Sequence, residues 1–109
     1  MSERVAKVES LIQQVAATSL RALLEGDAAY VTITRVDAAP DLRNATVWIG
    51  LLAEEKQQTA IWNRLQNLTA AIQADVAARL TMKYVPRLHF KLDTGGAYAA
   101  EIDRLLKDL

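Results

Sequence analysis

The sequence predicts a single α+β domain, and three observations carry that prediction. First, 109 residues fit one domain, since a single core commonly gathers about 100 to 150 residues. Second, 51% hydrophobic and 24% charged residues are typical of a globular chain and not of a disordered one. Third, segments with helical spacing of apolar residues are interleaved with segments in which apolar residues alternate. Helices and strands should therefore share one core.

The first predicted element is an amphipathic helix from Ser2 to Leu24. Its apolar residues recur mostly at three- and four-residue spacing, which gives the helix one apolar face. They are Val5, Val8, Leu11, Ile12, Val15, Leu20, Leu23 and Leu24. Ser2 is a suitable N-cap, and Gly26 lies where a left-handed residue would end a helix of this length.

Two strands are predicted next, Tyr30 to Val36 and Ala45 to Leu51. Both are rich in β-branched residues and alternate in polarity, as half-buried strands do. The connection between them contains Pro40, which disfavours helix at the preceding residue, and Asp41, which can accept a hydrogen bond from downstream backbone. We interpret Asp41 as a cap of this turn and Leu42 as a plug at the sheet edge.

A helical stretch and a third strand complete the predicted core. Residues 54–80 contain no glycine or proline and keep helical spacing, and Thr69 is a plausible break between two helices because its hydroxyl can bond local backbone. Trp62 is interpreted as a packing residue. After Pro86, the segment 87–92 alternates as a half-buried strand.

The predicted order is helix, strand, strand, helix, helix, strand, followed by a C-terminal helical segment. The crossover through two helices is long enough to join parallel strands, so we expect a three-stranded mixed sheet with helices on one face. We divide the chain into a domain of residues 1–93 and a C-terminal helical tail of residues 94–109.

Composition and motifs exclude several function classes. Thirteen basic residues balance thirteen acidic ones, so nucleic-acid binding would need local clustering of positive charge. Cysteine is absent, which excludes thiolate chemistry. The charged N-terminus lacks a signal-peptide pattern and no segment is apolar enough for a membrane span, which predicts a cytoplasmic protein. No metal-ligand spacing, phosphate-binding glycine loop or nucleophile elbow is found. We expect no catalytic residue, no metal, no cofactor and no enzymatic activity.

Two segments, "VTITRVDAAPDLRNATVWI" and "RLTMKYVPRLHFKLD", resemble the ribosome-binding factor A family. Together with the order of elements, the resemblance covers nearly the whole chain. It implies a type II KH-like fold and an RNA-binding factor that binds the free small (30S) ribosomal subunit and 16S rRNA. It also implies assistance in late rRNA maturation, including processing at the 5′ end, particularly in the cold. We expect a monomer with no membrane partner and no small-molecule substrate.

The chain departs from the family pattern at the bend between its paired helices. The family has an Ala-x-Gly kink followed shortly by an arginine. This chain has Leu68-Thr69-Ala70 at the kink and Gln73 at the arginine position. The first change removes the backbone freedom of a glycine, and the second removes a positive charge from the expected RNA surface.

The predicted RNA-binding residues lie at this bend and on the basic segments around it. They are Arg43, Arg64, Thr69, Ala70, Gln73, Arg79, Lys83, Arg87, His89 and Lys91. If grouped in space, these side chains would give a local positive field on a molecule of zero net charge and make RNA binding salt-dependent. The alternative is a solvated helix end and sheet face.

Trp48 is the predicted partner-binding residue. It alternates with Val47 and Ile49, so its ring should lie on the sheet face opposite the core, where a base or a ribosomal protein could stack on it. Alternatively, the tail or the first helix covers it. A second function therefore stays open: a protein-interaction module that uses Trp48 and the tail and has little RNA affinity. A small enzyme on a ferredoxin-like scaffold is the third alternative, and it lacks a convergent catalytic group.

Overall fold

The computed structural model describes residues 3–94 and confirms the predicted order of elements. Helix α1 spans Glu3–Leu24 and is followed by a short 3-10 helix, Glu25–Tyr30. Strands β1 (Val31–Ala38) and β2 (Asn44–Leu51) come next, then helices α2 (Glu55–Asn67) and α3 (Thr69–Arg79), and finally strand β3 (Arg87–Leu92). Of the predicted tail, residues 95–109 lie outside the described part of the chain.

The three strands form one mixed sheet in the order β1-β2-β3. Strand β2 pairs antiparallel with β1 and parallel with β3, as the long crossover through α2 and α3 predicts. The register of β1 against β2 shifts between Ile33 and Arg35. This irregularity places Thr34 as an extra residue, so that Ile33 and Val36 both face the core.

The helices pack on one face of the sheet and leave the other face to solvent. The core contains Ile12, Leu20 and Leu24 from α1, Val47 and Ile49 from β2, Ile61 and Leu65 from α2, Ile72 and Val76 from α3, and Leu88 from β3. Trp62 is half-buried against this core, which confirms its packing role. Leu11, which the spacing placed on the apolar face of α1, is 46% exposed.

The end of α1 differs from the prediction. Glu25, and not Gly26, takes the left-handed conformation, with φ 52°. The backbone continues into the 3-10 helix instead of turning at the glycine. Part of the reason is tertiary: Arg64 Nη1 donates to the carbonyl oxygen of Leu24 at 3.1 Å, so a side chain from α2 satisfies a helix-end carbonyl that a glycine-based cap would otherwise serve.

The β1–β2 connection is a tight turn that Asp41 caps, as predicted, and that places Leu42 at the end of the sheet. Ala39 N donates to Asn44 O at 2.8 Å, and the Asp41 carboxylate accepts from the backbone N–H of Arg43 at 3.0 Å. Leu42 has φ 59°, which is uncommon for a residue with a side chain. Its side chain packs against the core, so apolar burial offsets the cost of this conformation.

Within residues 3–94, no helix is long and apolar enough to cross a membrane.

Candidate nucleic-acid interface

The predicted break between α2 and α3 is present at Leu68, one residue before Thr69. Leu68 has φ −96° and ψ 4°, which ends α2 and starts α3. The Thr69 hydroxyl donates to the carbonyl oxygen of Gln66 at 2.8 Å and lies 3.3 Å from that of Leu65. The hydroxyl thus bonds to backbone carbonyls of the last turn of α2. The Thr69 side chain therefore supports the bend.

The bend opens onto a groove of about 640 Å³ between the paired helices and β3. We call it the kink groove; its lining residues are Gln66, Asn67, Thr69, Ala70, Gln73, Val85, Arg87 and Leu88. Four of the predicted RNA-binding residues, Thr69, Ala70, Gln73 and Arg87, therefore lie around one groove.

Gln73 fixes one wall of the kink groove. Its side-chain oxygen accepts from the backbone N–H of Leu88 at 2.8 Å, and its side-chain nitrogen donates to the carbonyl oxygen of Pro86 at 3.1 Å. Strand β3 is an edge strand, whose outer backbone groups would otherwise lack partners. Gln73 satisfies two of them, so its amide is already engaged within the protein. No pattern along the chain indicates this pairing; a role of Gln73 in RNA contact stays a prediction.

Four predicted cations lie between the end of the sheet and the outer face of β3. Lys83 and Arg43 line one cleft at the β1–β2 turn. Arg87 N donates to Arg43 O at 2.9 Å, which fixes the start of β3 beside that turn. Arg87 and Lys91 then lie on the outer face of β3, opposite the buried Leu88, roughly 13 Å apart along the strand.

Within residues 3–94, the members of this series form no ion pair with a carboxylate. The ion pairs within residues 3–94 are Arg35–Asp37, Arg64–Asp27 and Arg79–Asp75, and none includes a member of the series. Exposed cations that form no ion pair within these residues give a local positive potential even on a neutral molecule.

Arg64 and Arg79 do not join the series. Arg64 binds Asp27 at 2.8 Å as well as the end of α1, and Arg79 pairs with Asp75 one turn earlier on α3 at 2.9 Å. Both guanidinium groups are therefore engaged in contacts within the protein. Their predicted roles in RNA binding stay predictions.

The carboxylate of Asp75 interacts with Arg79 on α3 and with Ser19 on α1. Its pKa is lowered from the ordinary value of 3.8, first by the Ser19 hydroxyl and then by Arg79, against a smaller opposing effect of burial. Ser19 Oγ is buried and reaches no partner of standard hydrogen-bond geometry within residues 3–94. We therefore treat the Ser19 contact as a weak, poorly aligned one, and the well-formed Arg79 bond as the firmer cause.

Trp48 lies on the outer face of the sheet, as predicted. The guanidinium carbon of Arg35 is 4.6 Å from the ring centroid, and Lys91 Nζ is 6.0 Å from it. The indole N–H donates to the Asp37 carboxylate at 3.0 Å. Helix α1 packs on the opposite face and does not cover the ring. Trp48 is half-buried, and the tail that could cover it lies outside the described residues. Its role as a partner-binding residue stays a prediction.

His89 extends the same outer face. Its Nε2 lies 2.9 Å from Asn44 Oδ1 on the neighbouring strand, so the ring is held across the β2–β3 pair. Within the described residues, no group of three histidine or acidic side chains could hold a metal ion.

Comparison with known proteins identifies the family. The family model described as "Ribosome-binding factor A" matches residues 4–106. Ribosome-binding factor A of Thermomicrobium roseum is 34% identical over 101 residues, which cover 93% of this chain and 78% of that protein. The crystal structure of ribosome-binding factor A from Thermus thermophilus superposes with a TM-score of 0.67 at 23% identity, over 81% of this chain and 93% of that one.

A third match concerns a ribosomal complex. A homology model of the T. thermophilus ribosome-binding factor A, fitted into a cryo-EM map of a 30S complex, superposes with a TM-score of 0.66 at 22% identity, covering 82% of this chain and 94% of that one. These likenesses confirm the predicted KH-like α+β fold. The match over residues 4–106 shows that this chain belongs to the ribosome-binding factor A family.

Proposed function

We propose that this protein binds the free small ribosomal subunit in the cytoplasm, contacts its 16S rRNA, and assists late maturation of that RNA. It acts as a monomer and by binding, not by catalysis. The observation that carries the proposal is the family match over residues 4–106. The relative from T. thermophilus that was fitted into a 30S complex supports the choice of partner.

The interface we propose runs from the turn at the end of the sheet, past the kink groove, and along the outer face of β3. Lys83, Arg87 and Lys91 bind phosphates, because they are exposed cations without carboxylate partners within residues 3–94. Thr69 and Ala70 shape the groove, and Arg87 lines it. Each phosphate contact releases condensed counterions, so binding should weaken as salt rises.

Sedimentation of cell extract through a density gradient tests this proposal. Co-migration of the protein with free small subunits is the expected result. Mature 70S ribosomes should carry little of it, because a maturation factor leaves before the subunits join. Absence from the small-subunit fractions at low salt would contradict the proposal.

One observation favours a second function, that of a protein-interaction module. Trp48 presents an aromatic ring on the outer face of the sheet, beside Arg35 and Lys91, and aromatic and arginine side chains are common at the centres of protein interfaces. In the same gradient, a complex that is free of ribosomal subunits would support this function instead.

A further inference from the structure

A second concave surface lies beyond the kink groove, at the end of the sheet where β1 turns into β2. This cleft of about 660 Å³ is lined by Arg4, Asp41, Leu42, Arg43, Met82, Lys83, Tyr84 and Val85. We call it the turn cleft. Three separate segments build it: the start of α1, the β1–β2 turn and the connection from α3 to β3.

The turn cleft has the charges that a phosphate needs. Arg43 and Lys83 are exposed on two different segments of its wall, and neither pairs with a carboxylate within residues 3–94. An arginine can donate two parallel hydrogen bonds to a phosphate, and a lysine adds a point charge. The backbone of Arg43 is held on both sides, since its N–H donates to Asp41 and its carbonyl accepts from Arg87.

The same cleft has an aromatic surface. Tyr84 is 76% exposed, the most exposed large hydrophobic residue within the described chain, and Lys83 Nζ lies 5.4 Å from its ring centroid. Packing within the described part of the protein therefore does not explain why an aromatic residue occupies this position. An exposed ring beside a cation is the arrangement on which proteins stack an unpaired base while they bind its phosphate.

Asp41 adds a hydrogen-bond acceptor to the cleft. One of its carboxylate oxygens accepts from Arg43 N, and Asp41 is among the residues that line the cleft. The exocyclic amino group of a nucleobase can donate a hydrogen bond to the Asp41 carboxylate. Donors for phosphate, a ring for stacking and an acceptor for a base amino group together match a nucleotide.

We propose that the turn cleft binds one unpaired nucleotide of RNA, with its phosphate held by Arg43 and Lys83 and its base stacked on Tyr84. This inference deepens the proposed function and rests on it, because it names the conformation of RNA that one part of the interface recognises. Paired RNA keeps its bases within the helical stack, so a duplex can contact the two cations but not the ring.

The test compares Tyr84→Ala with Tyr84→Phe in the full-length protein. The probes are a fluorescent single-stranded ten-nucleotide oligoadenylate and the same strand paired with oligouridylate, with binding followed by anisotropy. We expect Tyr84→Ala to bind the single strand at least about five-fold more weakly, from the lower end of the range for base stacking. Duplex binding should not change, and Tyr84→Phe should bind both probes as the parent protein does.

Several results would overturn the inference. Equal binding of the single strand by Tyr84→Ala and the parent protein would do so, as would the lack of single-strand binding by the parent. A glutamate-rich peptide that displaces the oligonucleotide equally well from the parent and from Tyr84→Ala would assign the cleft to an acidic protein segment. Because the gradient experiment with small subunits is read independently, co-migration there would leave the proposed function standing while this site fails.

Discussion

Replacing Gln73 by alanine tests whether one side chain joins α3 to the edge of the sheet. The substitution removes the bonds to Leu88 N at 2.8 Å and to Pro86 O at 3.1 Å. Each such bond contributes about 0.5 to 1.5 kcal/mol net. Leu88 is only 3% exposed, so its N–H would have little access to water. We therefore expect a loss of about 2 kcal/mol in the free energy of unfolding.

Urea unfolding followed by circular dichroism measures this loss. For a domain of this size each kcal/mol lowers the thermal midpoint by about 4 to 8 °C, so a thermal scan should show a midpoint lowered by about 8 to 16 °C. Gln66→Ala is the matched control, since Gln66 lines the same groove and its side chain makes no hydrogen bond within the described residues. Gln73→Glu should fall between the two, because a carboxylate can accept from Leu88 N but cannot donate to Pro86 O. If Gln73→Ala and Gln66→Ala unfold within about 0.5 kcal/mol of each other, the bridge has no energetic role.

Two further predictions concern stability. Arg64→Ala should lower the free energy of unfolding by about 1 kcal/mol in urea titrations, because it removes a half-exposed ion pair and the cap of α1. Asp27→Ala removes the ion pair but leaves the cap in place, so it should lower the free energy of unfolding by less. An equal loss in the two variants would contradict the capping role. Asp75→Asn should lower the thermal midpoint at neutral pH. Since the folded-state pKa of Asp75 is depressed, its stabilisation is present above the ordinary value of 3.8 and is lost as pH falls through the lowered value. The difference between the two proteins should therefore shrink as the pH falls below 3.8, and a constant difference would contradict this account.

The elements of the fold could be predicted because each has its own local pattern. Helix α1 was recognised from spacing, β2 and β3 from alternation, and the break before Thr69 from its hydroxyl and β-branched side chain. The mixed sheet followed from the length of the crossover. These features depend on residues close in sequence, which is the information that periodicity carries.

The features that could not be predicted depend on residues far apart in the chain. Glu25 takes the left-handed position in place of Gly26, while Arg64, about 40 residues later, serves the end of α1. The extra residue Thr34 in β1 donates its hydroxyl to Asp93 beyond β3 at 2.7 Å. Spacing along a sequence gives no account of such contacts.

Part of the proposed RNA-binding surface could be predicted, because some of its residues follow a local pattern in the sequence. Arg87, His89 and Lys91 share one face because a strand alternates. Tyr84 was missed, since an isolated tyrosine after a lysine has no distinctive pattern, and only its exposure and its place beside Arg43 in the turn cleft single it out.

The central claim is that the exposed cations along the sheet end and β3, which form no ion pair within residues 3–94, hold rRNA. It is tested most directly by the affinity for purified free small subunits across a salt series, comparing Lys83→Ala/Lys91→Ala with Arg21→Ala/Lys56→Ala, which removes two exposed charges from helices α1 and α2. The first variant should bind more weakly, with the slope of log affinity against log salt reduced by about 1.4 to 1.8, while the second keeps the parent slope. An unchanged slope in Lys83→Ala/Lys91→Ala would contradict the claim.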